Sequence, residues 1–276
     1  MPPRVLVIAN QKGGVGKTTT AINLGTALAA IGCRTLIIDM DPQGNASTGL
    51  GIRRDDRQVT TYDLMAEDEE VHRAIVRTRV PGLDIVPSTV DLSGAELELI
   101  GVERRSYRLR DSLNRFFAHM DALDGKNGRS NAPEAEGYDY ILIDCPPSLN
   151  LLTINALTAG HAVLVPLQCE FFALEGLSQL LRTIDLVKGS LNTALEIQGI
   201  VLTMYDKRNN LSEQVASDVR EHMGGAVYDT VIPRNVRVSE APSHGKPALL
   251  YDLKCAGSQA YIALARELIE RESAVA

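Results

Sequence analysis

The chain has 276 residues, four cysteines and a formal net charge of −7. That length buries a full core, so a doubly wound α/β domain need not be split, and residues 1–276 read as a single domain. The acidic balance excludes a protein basic over its whole surface but leaves room for a local basic face. Cys33, Cys145, Cys169 and Cys255 are far apart with no C-x-x-C pair, which points to reduced thiols in a cytosolic setting, with neither a zinc site nor a disulfide framework. Met1-Pro2-Pro3 leads directly into an apolar run, so no signal peptide is expected, and no apolar stretch approaches the roughly 20 residues of a membrane span.

In chain order, Arg4–Asn10 is a short apolar run of the buried parallel-strand type. Lys12-Gly13-Gly14-Val15-Gly16-Lys17-Thr18-Thr19 follows, and from Gly16 onward Ala21, Ile22, Leu24, Ala27, Leu28 and Ile31 fall at helical spacing. Further strands are expected at Thr35–Asp39, Leu83–Pro87, Tyr140–Asp144, His161–Pro166 and Ile197–Thr203, with a short last one at Tyr228–Pro233. Helical patterns are clearest at Leu174–Val187, Leu211–Met223 and Ala256–Glu272. This alternation predicts a mostly parallel sheet with helices on both faces. The segment 122–137, rich in Asp, Gly, Asn, Ser, Pro and Glu, reads as a flexible surface loop.

A glycine-rich loop between a strand and a helix is a phosphate cradle. Its glycines let successive N–H groups turn inward without a Cβ in the way, and the helix N-terminus adds about half a positive charge at the same place. Against G-x-x-x-x-G-K-[ST] the chain has Gln11 at the first glycine and matches at Gly16, Lys17 and Thr18. Lys17 is expected on the β- and γ-phosphates and the Thr18 hydroxyl on Mg²⁺, making ATP with Mg²⁺ the expected ligand. Tyr140–Asp144 ends in a carboxylate, which suits Asp144 to hold Mg²⁺ through water. Asp39-Met40-Asp41-Pro42-Gln43-Gly44-Asn45 ends another strand in the same crevice, although Asp-Pro and Gly-Asn also start turns by themselves. Lys12, five residues before Lys17, is either a solvated loop lysine or a second functional cation.

The string KGGVGKTT resembles the deviant Walker A loop of the ParA/MinD ATPases. NQKGGVGKTTTAINLG, DPQGNASTGLG, DLSGAELEL, ILIDCPPSLNLLTINAL, VPLQCEFFALEGLSQLL and VIPRNVRVSEAPSHGKP resemble the chromosomal ParA (Soj) branch across nearly the whole chain. This resemblance implies a P-loop ATPase with weak intrinsic activity whose ATP-bound sandwich homodimer binds DNA non-specifically and is released when a ParB-type partner stimulates hydrolysis. It also implies that Lys12 contacts the partner subunit's ATP, that Asp41 orients the attacking water, and that Pro233 and Asn235 lie near the adenine. The longer segment 122–137 departs from the family's usual connection.

Other branches fit less well. Ala265–Glu272 is mixed in charge, unlike the basic amphipathic tail of membrane-bound MinD-like members, so no membrane partner is expected. A MinD-like or polar-positioning ATPase remains the alternative. Cys145 is not placed as the cluster ligand of the nitrogenase iron protein and reads as a buried thiol, and no carboxylate-substrate site of an amidoligase-type synthetase is evident. Lys207-Arg208, Arg234, Arg237 and Lys246 are basic without aromatic interleaving, which suggests phosphate contacts to duplex DNA. By resemblance Arg208 and Arg237 match two DNA-binding arginines of the chromosomal branch. The localisation implied is cytoplasmic, on the nucleoid.

Overall fold

The computed structural model describes residues 2–124 and 137–275. Its centre is one seven-stranded sheet: β1 (Arg4–Ile8), β2 (Thr35–Asp39), β3 (Val76–Arg77), β4 (Leu83–Val86), β5 (Tyr140–Asp144), β6 (Ala162–Gln168) and β7 (Glu196–Thr203). The order is β3-β4-β2-β5-β1-β6-β7, and every pairing is parallel except that of β3 with β4 at one edge.

The period-two rule explains why these apolar runs are strands rather than helix cores. Along β1, Val5 and Val7 pack with Leu36, Ile38, Ile141 and Ile143 on one face, whereas Leu6 and Ile8 pack with Ile37 and Leu142 on the other. Helices 108–124, 151–159, 173–190 and 210–223 supply apolar partners to the first face, and helices 17–30 and 256–275 supply them to the second. Along the central strands both faces are dry, as a parallel sheet requires. The doubly wound α/β class expected from the sequence is the one observed.

Two expectations need correction. Tyr228–Pro233 is not a continuous strand: it meets β7 and its end at the isolated bridges Ile200↔Val227 and Tyr205↔Pro233 and through the Ile232 N–H, which donates to Leu202 O at 2.8 Å. The N–H groups of Asp229 and Thr230 donate to the Glu267 carboxylate at 2.8 and 2.9 Å instead of to a neighbouring strand, and Pro233 has no N–H to give. The loop expected from Ala122 begins later, because the helix from Arg108 runs through Asp124. The remainder of that loop, up to residue 136, lies outside the described residues. Among the described residues no helix is long and apolar enough to cross a membrane.

Register places the site. Asp144 is opposite Ile8 on β1 and opposite Asp39 on β2, so the three central strands end together, and the loop that leaves β1 folds over those ends. This is the crevice beyond the carboxyl ends of the strands where open α/β sheets bind ligands.

Candidate nucleotide site

The loop after β1 is anchored before it reaches the helix. Asn10 Nδ2 donates to Pro166 O at 2.8 Å, and its Oδ1 accepts the Lys12 N–H at 3.1 Å. Gly14 and Gly16 adopt φ of 76° and 90°, a left-handed backbone that a side chain would strain. The Thr203 hydroxyl fixes the middle of the loop by donating to Val15 O at 2.8 Å. Helix 17–30 starts at Gly16 with no side chain capping it, which leaves the first-turn N–H groups to an anion.

Lys17 is 6 % exposed and curls back over this loop, its Nζ donating to Lys12 O at 2.9 Å. Burial pulls its pKa below the ordinary lysine value, while Asp144, Cys145 and Asp41 oppose that change. Asp144 is fully buried, and neither carboxylate oxygen has a hydrogen-bond partner. Burial pushes its pKa well up, the Asp39 charge adds to this, and the Thr18 hydroxyl beside it, outside hydrogen-bond geometry, pulls the other way. A buried, unpartnered carboxylate costs free energy unless something completes it. Thr18 and Asp144 with phosphate oxygens and water suit Mg²⁺, which keeps most of its water and uses few protein ligands. Among the described residues no group of three or more His, Cys, Asp or Glu is arranged to hold a metal by itself.

Asp41 comes from the loop after β2. It lines the same cleft, of about 310 Å³, together with Gly13, Gly14, Gly16, Lys17, Thr18, Thr19, Gln43, Asn45, Pro147 and Met204. Asp41 Oδ1 accepts the Gln43 N–H at 2.9 Å. Asp39 does not face the cleft in this way: its Oδ2 accepts the Ser47 N–H and hydroxyl at 2.9 and 2.7 Å, and its Oδ1 accepts the Asp41 N–H at 3.2 Å. Burial raises its pKa to about 6 against those hydrogen bonds. In the sequence only the fixed two-residue spacing from Asp41 marks Asp39.

The structure thus gathers Gly13 to Thr19, Asp41 and Asp144 at one place. Lys12 is exposed and forms an ion pair with Glu170 of the same chain, a contact that no local sequence pattern signals. Met204 was also missed, and its φ of 51° carries no local sequence signal. Pro233 and Asn235 are not among the residues lining the cleft. Asn235 caps the helix 236–240, its Oδ1 accepting the Arg237 and Val238 N–H groups at 2.9 and 3.4 Å.

None of the basic residues is among those lining this cleft. Arg208 donates to Asp206 at 2.9 Å, and the pKa of Asp206 falls to about 2 through that hydrogen bond, with Arg234 adding its charge nearby. Arg208 is therefore paired with Asp206, and Arg234 acts on the same carboxylate only through its charge. Arg237 pairs with Glu240 at 3.2 Å and Asp252 at 3.7 Å, and Lys246 is exposed.

A central parallel sheet with a phosphate cradle after its first strand and a buried carboxylate beside it defines a P-loop nucleotide-binding fold. A family profile described as "AAA domain" matches residues 3–123 and 131–197. The chain is 67 % identical over 271 residues to the chromosome partitioning protein ParA of Caulobacter vibrioides, spanning 98 % of this chain and 96 % of that one. It is 51 % identical over 265 residues to the sporulation initiation inhibitor protein Soj of Bacillus subtilis, spanning 96 % and 98 % respectively. A solved structure named cobyrinic acid a,c-diamide synthase, from Mycobacterium smegmatis with a bound ATP analogue and magnesium, superimposes with a TM-score of 0.80 at 37 % identity, over 99 % of this chain and 97 % of that one. The chain belongs to the ParA/Soj family of chromosome-partitioning ATPases.

Proposed function

We propose that this protein binds and hydrolyses ATP with Mg²⁺, and that ATP closes a homodimer which holds duplex DNA non-specifically until a ParB-type partner stimulates hydrolysis. The observation that carries the reading is the buried Asp144 carboxylate, left without hydrogen-bond partners and within electrostatic reach of Thr18 and Lys17. Lys17 and the loop N–H groups of Gly13 to Thr19 bind the phosphates, and the uncapped start of helix 17–30 orients them. Mg²⁺ held by Thr18 and Asp144 would neutralise charge on the β- and γ-phosphates. Asp41 orients the attacking water from its place in the cleft lining. Lys12 leaves Glu170 to reach the nucleotide of a second subunit, as an arginine finger does in other phosphoryl-transfer enzymes. Pro233 and Asn235 flank the adenine.

Arg208, Arg234, Arg237 and Lys246 contact phosphates, and dimerisation adds two modest basic faces into one surface on an otherwise acidic protein. The diamide synthase likeness favours a metabolic ATP-dependent reading, but the partitioning relatives share 67 % and 51 % of residues against 37 %. The test is affinity for two unrelated duplexes over a salt series, with ATP and with ADP. Binding should be equal for both duplexes and far tighter with ATP. Arg208→Glu and Arg237→Glu should each lower the slope of log affinity against log salt by about two, one contact from each subunit. Equal affinity with ADP, or unchanged affinity in both variants, would show that DNA binding by this face is wrong.

A further inference from the structure

Behind the loop that carries Asp41 lies a guanidinium almost out of reach of solvent. Arg57 is 8 % exposed. Its Nη1 donates to Ser88 O at 2.8 Å, and its Nη2 donates to Thr48 Oγ1 at 2.8 Å and to Ile52 O at 2.9 Å. Every one of these acceptors is neutral, and among the described residues Arg57 makes no ion pair. Taking an arginine out of water into such a place is expensive, and hydrogen bonds to neutral carbonyls offset only part of the cost. The fold tolerates this charge where an aliphatic side chain would fill the space with less penalty, which argues for a geometric purpose.

The acceptors themselves identify what is held. Thr48 Oγ1, while accepting from Arg57, donates to Gly44 O at 2.9 Å, and the Gly44 N–H closes a turn on Asp41 O at 2.9 Å. Gly44 has φ of 62°, and a Cβ there would run into the Arg57 guanidinium and come within 2.8 Å of Ser88 O. The guanidinium is therefore packed directly on the backbone of the turn that begins at Asp41. From the other side, Ser88 N–H donates to Ser47 Oγ at 3.1 Å, and Ser47 holds Asp39. One planar fork joins two separated stretches, 48–52 and the segment at 88, through three acceptors, a task its fixed multi-donor geometry suits and a lysine ammonium does not.

We propose that Arg57 is a positioning residue for hydrolysis: it braces the turn from Asp41 to Ile52 so that the Asp41 carboxylate faces the phosphate end of the cleft. This rests on the role assigned to Asp41 in the proposed function. Arg57 touches neither nucleotide nor water in that role and acts through the backbone of Gly44 and the hydroxyl of Thr48.

The test uses the full chain with Mg²⁺ and saturating ATP in single-turnover hydrolysis, with a fluorescent ATP analogue for affinity and thermal melts for folding. Arg57→Lys should lower the hydrolysis rate about 10- to 100-fold, the loss typical of a misplaced reacting group, while nucleotide Kd stays within about two-fold. Thr48→Val, which removes one acceptor of the fork and is the milder change for folding, should act in the same direction with a smaller effect. In an Asp41→Ala background, adding Arg57→Lys should cause no further loss, because both changes remove the same contribution. A proportional fall of affinity, rate and melting temperature, or losses that multiply in the double variant, would make Arg57 a merely structural arginine and overturn the proposal. If Asp41→Ala abolishes hydrolysis but Arg57→Lys and Thr48→Val both turn over at the wild-type rate, this inference alone fails. If Asp41→Ala turns over normally, the role of Asp41 fails and takes this inference with it.

Discussion

Asp144→Asn should make the nucleotide-free protein more stable and its complex less so. The carboxylate is fully buried without hydrogen-bond partners, and of the influences on its ionisation burial is the largest and the Asp39 charge next, whereas attraction to Lys17 comes last. Asparagine keeps the shape and removes the charge. An unsatisfied buried polar group costs about 1–3 kcal/mol, and the amide remains partly unpaired, so the recoverable part is about 1–2 kcal/mol. For a chain of this size that corresponds to a rise in Tm of about 2–8 °C. Ligand reverses the order: at about 100 times Kd, Mg²⁺ with ATP stabilises the wild type by about 2.7 kcal/mol, a gain the variant should largely lack. Thermal melts near neutral pH, first in chelator and then with Mg²⁺ and ATP, should therefore cross. A variant that melts below the wild type in chelator would refute the claim that this carboxylate is a strained, waiting ligand.

Two further outcomes follow from the same geometry. Asp39 titrates at about 6 in the fold against 3.8 ordinarily, so the folded state holds its proton longer and stability falls as pH rises through that window, by about 3 kcal/mol. The melting-temperature difference between Asp39→Asn and wild type should accordingly grow in the variant's favour from acidic to neutral pH, and a flat difference would contradict the burial of that charge. Lys17→Ala should abolish nucleotide binding, while Lys12→Ala should bind ATP as a monomer yet fail to form a dimer by light scattering; equal loss of binding in both variants would remove the trans role of Lys12.

What the sequence settled by itself was local. Short apolar runs such as Thr35–Asp39 and Tyr140–Asp144 can be dry on both faces only in a covered parallel sheet. Glycines at 14 and 16 ahead of Lys17 and Thr18 predetermine a cradle, because the needed backbone and the needed side chains are neighbours in the chain. Asp144 was legible for the same reason, as a carboxylate at the end of an apolar strand. Tyr228–Pro233 misled because its composition suits a strand, and only the distant Glu267, by taking two of its N–H groups, decides that it is not one. Nothing near Arg57 in the chain announces that it closes on Ser88, 31 residues away, or that Lys12 meets Glu170. The ionisation of Asp39 and Asp144 depends on β2 and β5 lying side by side. Those features were decided by tertiary structure alone, since burial and pairing between distant residues exist only once the chain has closed on itself.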